Sequence, residues 1–411
     1  MKKAVFLVTM MIMASALQAQ LTLEQCQQKA QANYPAIRQY DLIEQSRDFT
    51  LANAATGYLP QISVSGYGIW HSDIIQSMQN LPIDVKNTMA VASVMVNQNI
   101  YDGGTISANR TLAKAQADVE KRQTDITLYN IRERIQQLYF GILLIDERMK
   151  QNQLLQDDLG ISLKTVEGLE QGGLANQSDL DAIRVQQIKV QQQASSLQTQ
   201  RRTFLNMLGI FMEEELNEAT ALVVPTEELG LNRENNRPEL QLYAAQNQMV
   251  DAQRKQIDSR LMPKVGAFGM GMLNTGIGGF IKKDIFAAGL SVSWNIGALY
   301  TRKNDLRLLD VKRQQIYTNR ETFLFNNRLQ TANEEGSLQD LREQISRDNE
   351  VIRLSENIRQ ATEKKVEGGT ETVNELLRSI NAVSEARQQQ ALHRIQLLQE
   401  TYQLKHLLGN Y

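Results

Sequence analysis

The 411-residue chain holds three histidines, His71, His393 and His406, and one cysteine, Cys26. Metal-assisted and general-base chemistry need such groups at ligand or hydrogen-bond spacing to one another or to a carboxylate. None of the histidines has ligand spacing to a carboxylate or to Cys26, and neither a nucleophile elbow nor a phosphate loop occurs. The glycine-rich "GIGG" at 276–279 falls between two strand patterns with no helix start behind it, so it lacks the form of a phosphate cradle. No ladder of histidines and methionines suited to copper or silver is evident. The sequence therefore predicts no catalytic residue, no metal site and no cofactor, and it reads as a protein that is not an enzyme. A net charge of −2 gives no electrostatic reason to expect nucleic acid as a partner.

The patterned residues are those that shape and place a chain. Lys2 and Lys3 precede an apolar run from Ala4 to Ala14, and small and polar residues follow to Ala19. That is the form of an export signal over 1–19, too short to span a bilayer. Cys26 stands in "LEQC", which is not a lipoprotein cleavage site, and it reads as a structural thiol on a helix. Residues 83–224 and 264–411 contain no proline, which leaves room for very long helices.

"NYPAIRQY" at 33–40 and "NRPELQLY" at 236–243 share three residues at the same places, 203 residues apart. Pro60 and Pro263, Gly66 and Gly269, and Gly68 and Gly271 keep that offset. Beyond them it falls to 196, for Asn99 and Asn295 and for Gly172–Gly173 and Gly368–Gly369. The first copy thus carries seven more residues between Gly68 and Ala90. "LG" at 208–209 and "LG" at 408–409 imply a last offset of 200, a gain of one helical turn. The chain is two repeats. In each, the asparagine is expected to cap a helix whose first turn holds the proline.

Each repeat then alternates with period two. Phe286, Ala288, Leu290, Val292, Trp294 and Ile296 form one greasy side of a strand pattern. Afterwards the period changes. Leu128, Ile131, Ile135, Leu138, Ile142, Ile145 and Met149 follow a heptad seam, which weakens at Asn152 and Gln156. The helix this predicts would be roughly 100 Å long.

The expected layout is a signal over 1–19 and a first repeat over 20–210. That repeat has a helix, strands at 58–72 and 88–101, a long helix at 105–171 and a return helix at 174–208. An acidic connector follows at 211–231, with strand character at Ala221–Val224. The second repeat, 232–411, has strands at 262–273 and 285–297 and helices at 300–367 and 370–408.

Strands of this length match transmembrane β-strands. Four cannot close a barrel, and an open sheet cannot span a bilayer because its edge amides go unpaired. Three copies would supply twelve strands and a ring of twelve helical columns with a lumen of roughly 25–30 Å. Trp70 and Trp294 fall near opposite ends of their strands, at positions suited to an interface belt.

In order and spacing these motifs resemble the TolC-like outer-membrane efflux proteins over essentially the whole mature chain. The residues that carry the resemblance are the "NxP" pairs, "LPQISVSGYG", "NQNIYDGG", "GGLANQSDLDAIR" and "EGGTETVNELL". It implies an α+β membrane protein, a homotrimer with a twelve-stranded β-barrel in the outer membrane continued by a long α-helical barrel in the periplasm. A periplasmic adaptor and an inner-membrane pump would be its partners, with outer-membrane lipid around the barrel. The family's adaptor-docking tips fall on Gly172, Gly173, Leu174, Gly368, Gly369 and Thr370. Its acidic constriction falls on Asp179 and Glu375. Where the family repeats an acid, this chain has Arg378, and the family's network arginine and tyrosine fall on Glu371 and Val366. An exit duct for small molecules is the function implied. The alternatives are the duct of a type I protein secretion system and a soluble periplasmic coiled-coil adaptor.

Overall fold

The computed structural model of the chain describes residues 20–70, 88–226, 234–274 and 284–410. The signal segment, His71, the extra residues of the first outer loop, "GIGG" and the end of the connector lie outside the described residues.

The elements run α1 (Leu23–Asn33), a 3-10 turn (Pro35–Arg38), α2 (Gln39–Ala55), β1 (Gln61–Trp70), β2 (Thr88–Tyr101), α3 (Thr105–Gln171) and α4 (Gln177–Met212). After the connector come α5 (Pro238–Ser259), β3 (Lys264–Asn274), β4 (Asp284–Ser293), α6 (Ala298–Glu367) and α7 (Val373–Leu408). The chain divides into two compact units. One comprises residues up to Ile37, Asp125–Pro238 and Phe323 onward; the other comprises Arg38–Thr124 and Glu239–Thr322.

The second unit holds one antiparallel sheet in the order β1-β2-β3-β4. Register assigns its faces. Ile62 opposes Val96, Val64 opposes Val94, Gly271 opposes Phe286 and Ala267 opposes Leu290. With Val292, these make an apolar band on one face, bordered by Gln98 at the helix-bearing end and Asp284 at the other. The other face carries Ser63, Ser65, Ser93, Asn97 and Ser291, together with Met95, Met270 and Met272. Two phenylalanines each cover a glycine across the ladder. The Phe286 ring lies 3.4 Å from where a Cβ on Gly271 would stand, and Phe268 lies 3.1 Å from the same point on Gly289. The apolar face is uncovered, with Phe286 82% and Leu290 74% exposed.

At the helix-bearing end of the sheet, "YDGG" turns β2 into α3. The Asp102 carboxylate accepts from the amides of Gly104 and Ile106, which α3 would otherwise leave unpaired. Gly103 holds φ +72, and a Cβ there would meet Met262 Cβ at 2.9 Å, so only glycine fits the turn.

In the first unit, the seam residues Leu128, Ile131, Ile135, Leu138, Ile142 and Ile145 are all buried. Several of them pack with Leu23, Cys26, Leu205, Leu208 and Met212 in one core. Asn152 does not leave the seam. It is 2% exposed, and its side chain donates to the Val190 carbonyl of α4 while accepting from Gln156. A second core joins both hairpins through Leu159, Val166, Leu180, Ile183, Val366, Leu376 and Ile380.

Three expectations are corrected. Neither asparagine of the "NxP" pair caps a following helix. Asn33 ends α1 and its side chain donates to the Met212 carbonyl at 2.6 Å. The Asn236 amide donates to the Leu408 carbonyl at 3.0 Å. Met212 and Leu408 are the last residues of α4 and α7, whose final carbonyls have no partner inside the helix. The repeated asparagine therefore satisfies the end of each return helix. Pro238 does open α5, but Pro35 opens only the 3-10 turn.

The offset of 200 also disappears. The return helices keep the 196-residue offset from first residue to last, so Gly209 lies inside α4 and Glu213 is the counterpart of Gly409. Gly209 is small for another reason: a Cβ there would stand 2.5 Å from the Glu214 carbonyl oxygen, where the chain folds back. Finally, Ala221–Val224 is not a strand but an isolated parallel bridge between Leu222 and Leu21. The Tyr139 hydroxyl lies 2.8 Å from the Leu21 carbonyl and 2.6 Å from that of Val223, and donates to one at a time.

Candidate functional site: hairpin tips and sheet faces

The tips are built alike. In the first, Gly173 has φ +74, its amide donates to Glu170 and that of Leu174 donates to Leu169. In the second, Gly369 has φ +68, with Gly369 donating to Val366 and Thr370 to Lys365. Both are Schellman closures, in which a left-handed residue turns the last carbonyls back onto the chain. Gly172 and Gly368 have ordinary φ. Leu174 is 62% exposed, and its Cδ2 lies 3.5 Å from where a Cβ on Gly369 would stand, so the tips of one chain touch.

Asn176 then caps α4, and Thr372 caps α7. Asp179 and Glu375 occupy the same third helical position, where a carboxylate favours the positive end of the helix. Asp179 is held in a capping box: its carboxylate accepts from the Asn176 amide at 3.0 Å. Glu375 pairs with Arg378 at 3.2 Å, and Glu371 accepts from the Thr372 amide at 3.2 Å. Asp179 thus makes its contacts within the first tip and Glu371, Glu375 and Arg378 within the second, and Val366 is buried in the core behind them. Arg378 is four-fifths exposed, so this pair is weak within one chain.

Trp70 ends β1, at the opposite end of the sheet from the helices. Trp294 follows β4 at the helix-bearing end, and its indole N–H donates to the Leu261 carbonyl at 2.9 Å.

Several polar groups come together that spacing in the sequence does not show. The His393 imidazole meets Asp348 at 2.7 Å through Nδ1 and Gln389 at 2.7 Å through Nε2. Both ring nitrogens are engaged, which ties α6 to α7. Arg201, nearly buried, pairs with Asp146 and donates to the carbonyls of Glu218 at 2.7 Å and Thr220 at 2.8 Å, so it pins the connector. Burial first, and then the neighbouring Glu334, push the Glu400 carboxyl well above the usual carboxylate range. His406 stacks on Tyr129 at 4.4 Å and is pulled down to about 3, by burial first and then by Arg237 and Arg132. Among the described residues no group of three or more His, Cys, Asp or Glu side chains is placed to hold a metal ion.

No family model matches the chain, and no curated protein matches it. Solved structures do. The outer membrane protein VceC from Vibrio cholerae superposes with a TM-score of 0.69 at 13% identity, covering 94% of this chain and 96% of that one. CusC, described with transmembrane channel formation, gives 0.72 at 14% identity, covering 96% and 93%. The open state of the Neisseria gonorrhoeae MtrE outer membrane channel gives 0.66 at 13% identity, covering 94% and 89%. The chain has the TolC-like outer-membrane channel fold. The likeness spans nearly the full length of each of these chains. At such low identity it is the arrangement of strands and hairpins that is shared.

Proposed function

We propose that this protein is the outer-membrane exit duct of an efflux system, a homotrimer that passes small molecules to the exterior without altering them. The observation that carries this reading is the sheet. One face is apolar and uncovered, and β1 and β4 have no described partner on their outer sides. Such a sheet is unstable in water and cannot stand alone in lipid. Three copies joined edge to edge remove both difficulties at once. The apolar faces then meet lipid and the serine- and asparagine-bearing faces line the lumen.

Residues 1–19 would be the export signal, and the two repeats with their connector would give each chain two similar sectors of the wall. The tips, with exposed Leu174 at their centre and Gly172, Gly173, Gly368, Gly369 and Thr370 around it, would receive a periplasmic adaptor coupled to an inner-membrane pump. Asp179, Glu371, Glu375 and Arg378, one set per chain, would narrow the periplasmic mouth. Trp70 and Trp294 would sit at the two lipid interfaces.

Fractionation and channel recording test this. The expected result is a heat-modifiable trimer in outer-membrane fractions that conducts in planar bilayers, with conductance raised by E375A and R378A together. Leu174→Glu should abolish efflux while the trimer persists. A soluble periplasmic monomer would overturn the reading.

A further inference from the structure

Along the chain the methionines form no ladder, but the sheet register makes one. Met95 of β2 stands opposite Met270 of β3, and Ser93 stands opposite Met272. Side chains two residues apart on a strand share a face, so the three thioethers lie together on the face that carries Ser63, Ser65 and Ser93. Directly opposed Cβ atoms lie about 4.5–5.5 Å apart, and diagonal ones, as for Met95 and Met272, about 7–8 Å. Flexible methionine side chains span both distances. Met95 is 37% exposed and the other two are half-buried, so ions in solution reach them. The surroundings are neutral. Met95 faces Ser63 on β1, and Met270 and Met272 face Ala287 and Ile285 on β4. The Ser63 hydroxyl donates to the Met95 carbonyl at 3.5 Å, and the Ser65 and Ser93 hydroxyls bond to each other at 2.8 Å. The opposite face builds its apolar band with Ile62, Val64, Val94, Val96 and Val292, the branched side chains that strands favour. Among the described side chains of the sheet, methionine occurs on the serine-bearing face alone.

We propose that Met95, Met270 and Met272 form a thioether site for a soft monovalent metal ion, Cu(I) or Ag(I). Thioether sulfur is a soft, uncharged ligand that suits such ions. With no carboxylate or imidazole at a neighbouring register position, the site offers little to magnesium, calcium or zinc. All three ligands come from one chain, so the site needs no second copy. The inference rests on the duct reading only for its place: there this face lines the lumen, and three chains would set three such sites around the water-filled passage.

Purified protein in chloride-free buffer is dialysed against micromolar silver nitrate, and retained silver is measured by elemental mass spectrometry. The wild type should keep about one Ag(I) per chain more than the triple variant M95L/M270L/M272L. Methionine-to-leucine exchange nearly conserves volume, so the sheet should keep its packing. M95L and M270L singly should each weaken silver binding about tenfold. C26A should leave binding unchanged, because the Cys26 thiol is buried. X-ray absorption at the silver edge, recorded on C26A, should show sulfur neighbours. Unchanged retention in the triple and single variants would overturn the proposal. So would loss of binding in C26A, nitrogen and oxygen neighbours alone, or zinc acetate retained as tightly as silver. Trimer assembly and conductance are recorded on the same samples. If they are normal and silver is not retained, only the metal site fails; if the wild type forms no trimer, the duct reading fails, and silver retention by the single chain still decides the site.

Discussion

Glu213 and Gly409 close equivalent helices in the same left-handed conformation, with φ 53 and φ 73. A side chain there costs roughly 1–2 kcal/mol. Glu213→Gly should therefore stabilise the protein by about 0.5–1 kcal/mol, after the added freedom of the unfolded chain is set against it. Gly409→Ala should destabilise it by about 2–4 kcal/mol, since strain is joined by a clash. The new Cβ would stand 2.6 Å from the Asn236 carbonyl carbon and 2.8 Å from the Arg237 nitrogen, and neither backbone atom can swing away. Denaturant midpoints of the two variants check both signs. His406 gives a pH dependence at the same scale. Its folded value of about 3 lies below the ordinary histidine value of 6.5, so it is neutral when folded at neutral pH. Between those values the unfolded chain binds a proton that the folded chain refuses, so stability falls as pH falls from 6.5 toward 3. The loss from pH 7 to pH 5 should be about 2 kcal/mol from this group. H406Q, compared by unfolding at both pH values, should show a flatter acid limb.

At the scale of elements, the proposed duct makes positions one residue apart on the sheet face lipid and lumen in turn. Leu290→Lys places a charge on the apolar face and should cost roughly 2–4 kcal/mol near the bilayer midplane. Ser291→Lys, on the opposite face, should be tolerated. The yield of heat-modifiable trimer in outer-membrane fractions distinguishes them, and equal yields would contradict the assignment of faces. Alternation made this face readable from β4 alone. The long helices were readable from the heptad seam of α3 and from the tip glycines that end them, yet what ended the return helices was not. The asparagines at 33 and 236 look like caps of the next helix in the chain, because local rules connect neighbours in sequence. Their partners, the carbonyls of Met212 and Leu408, are more than 170 residues away. Only the folded chain brings them together.

At the scale of the whole molecule, the proposed trimer rests on the outer edges of β1 and β4, which have no partner among the described residues. Cys26 is buried, and its thiol is pushed up to about 12, by burial first, so it stays unreactive and leaves a clean background for introduced cysteines. Val64→Cys on β1, combined in turn with cysteine at Ala288, Leu290 or Val292 on β4, should yield disulfide-linked chains in at least one pairing. Bridges form only where Cα atoms approach within about 4.4–6.8 Å. Linked species running at two and three chains on non-reducing gels are the expected outcome, and monomers throughout would count against edge-to-edge assembly.

The sequence by itself determined the two repeats and the existence of strands and long helices, and it supplied the argument for proposing more than one chain. Those properties are periodic or additive along the chain: a side-chain period of two or three and a half, an absence of proline, a strand count too small to close. It also located the tip glycines, because a left-handed turn excludes nearly every other residue. The tertiary structure decided which carbonyl each asparagine satisfies, that Asn152 stays in the seam, and that His393 meets Asp348. These depend on atoms distant in sequence arriving within 3 Å, and hydrogen-bond strength falls off too steeply with distance for linear spacing to foretell it.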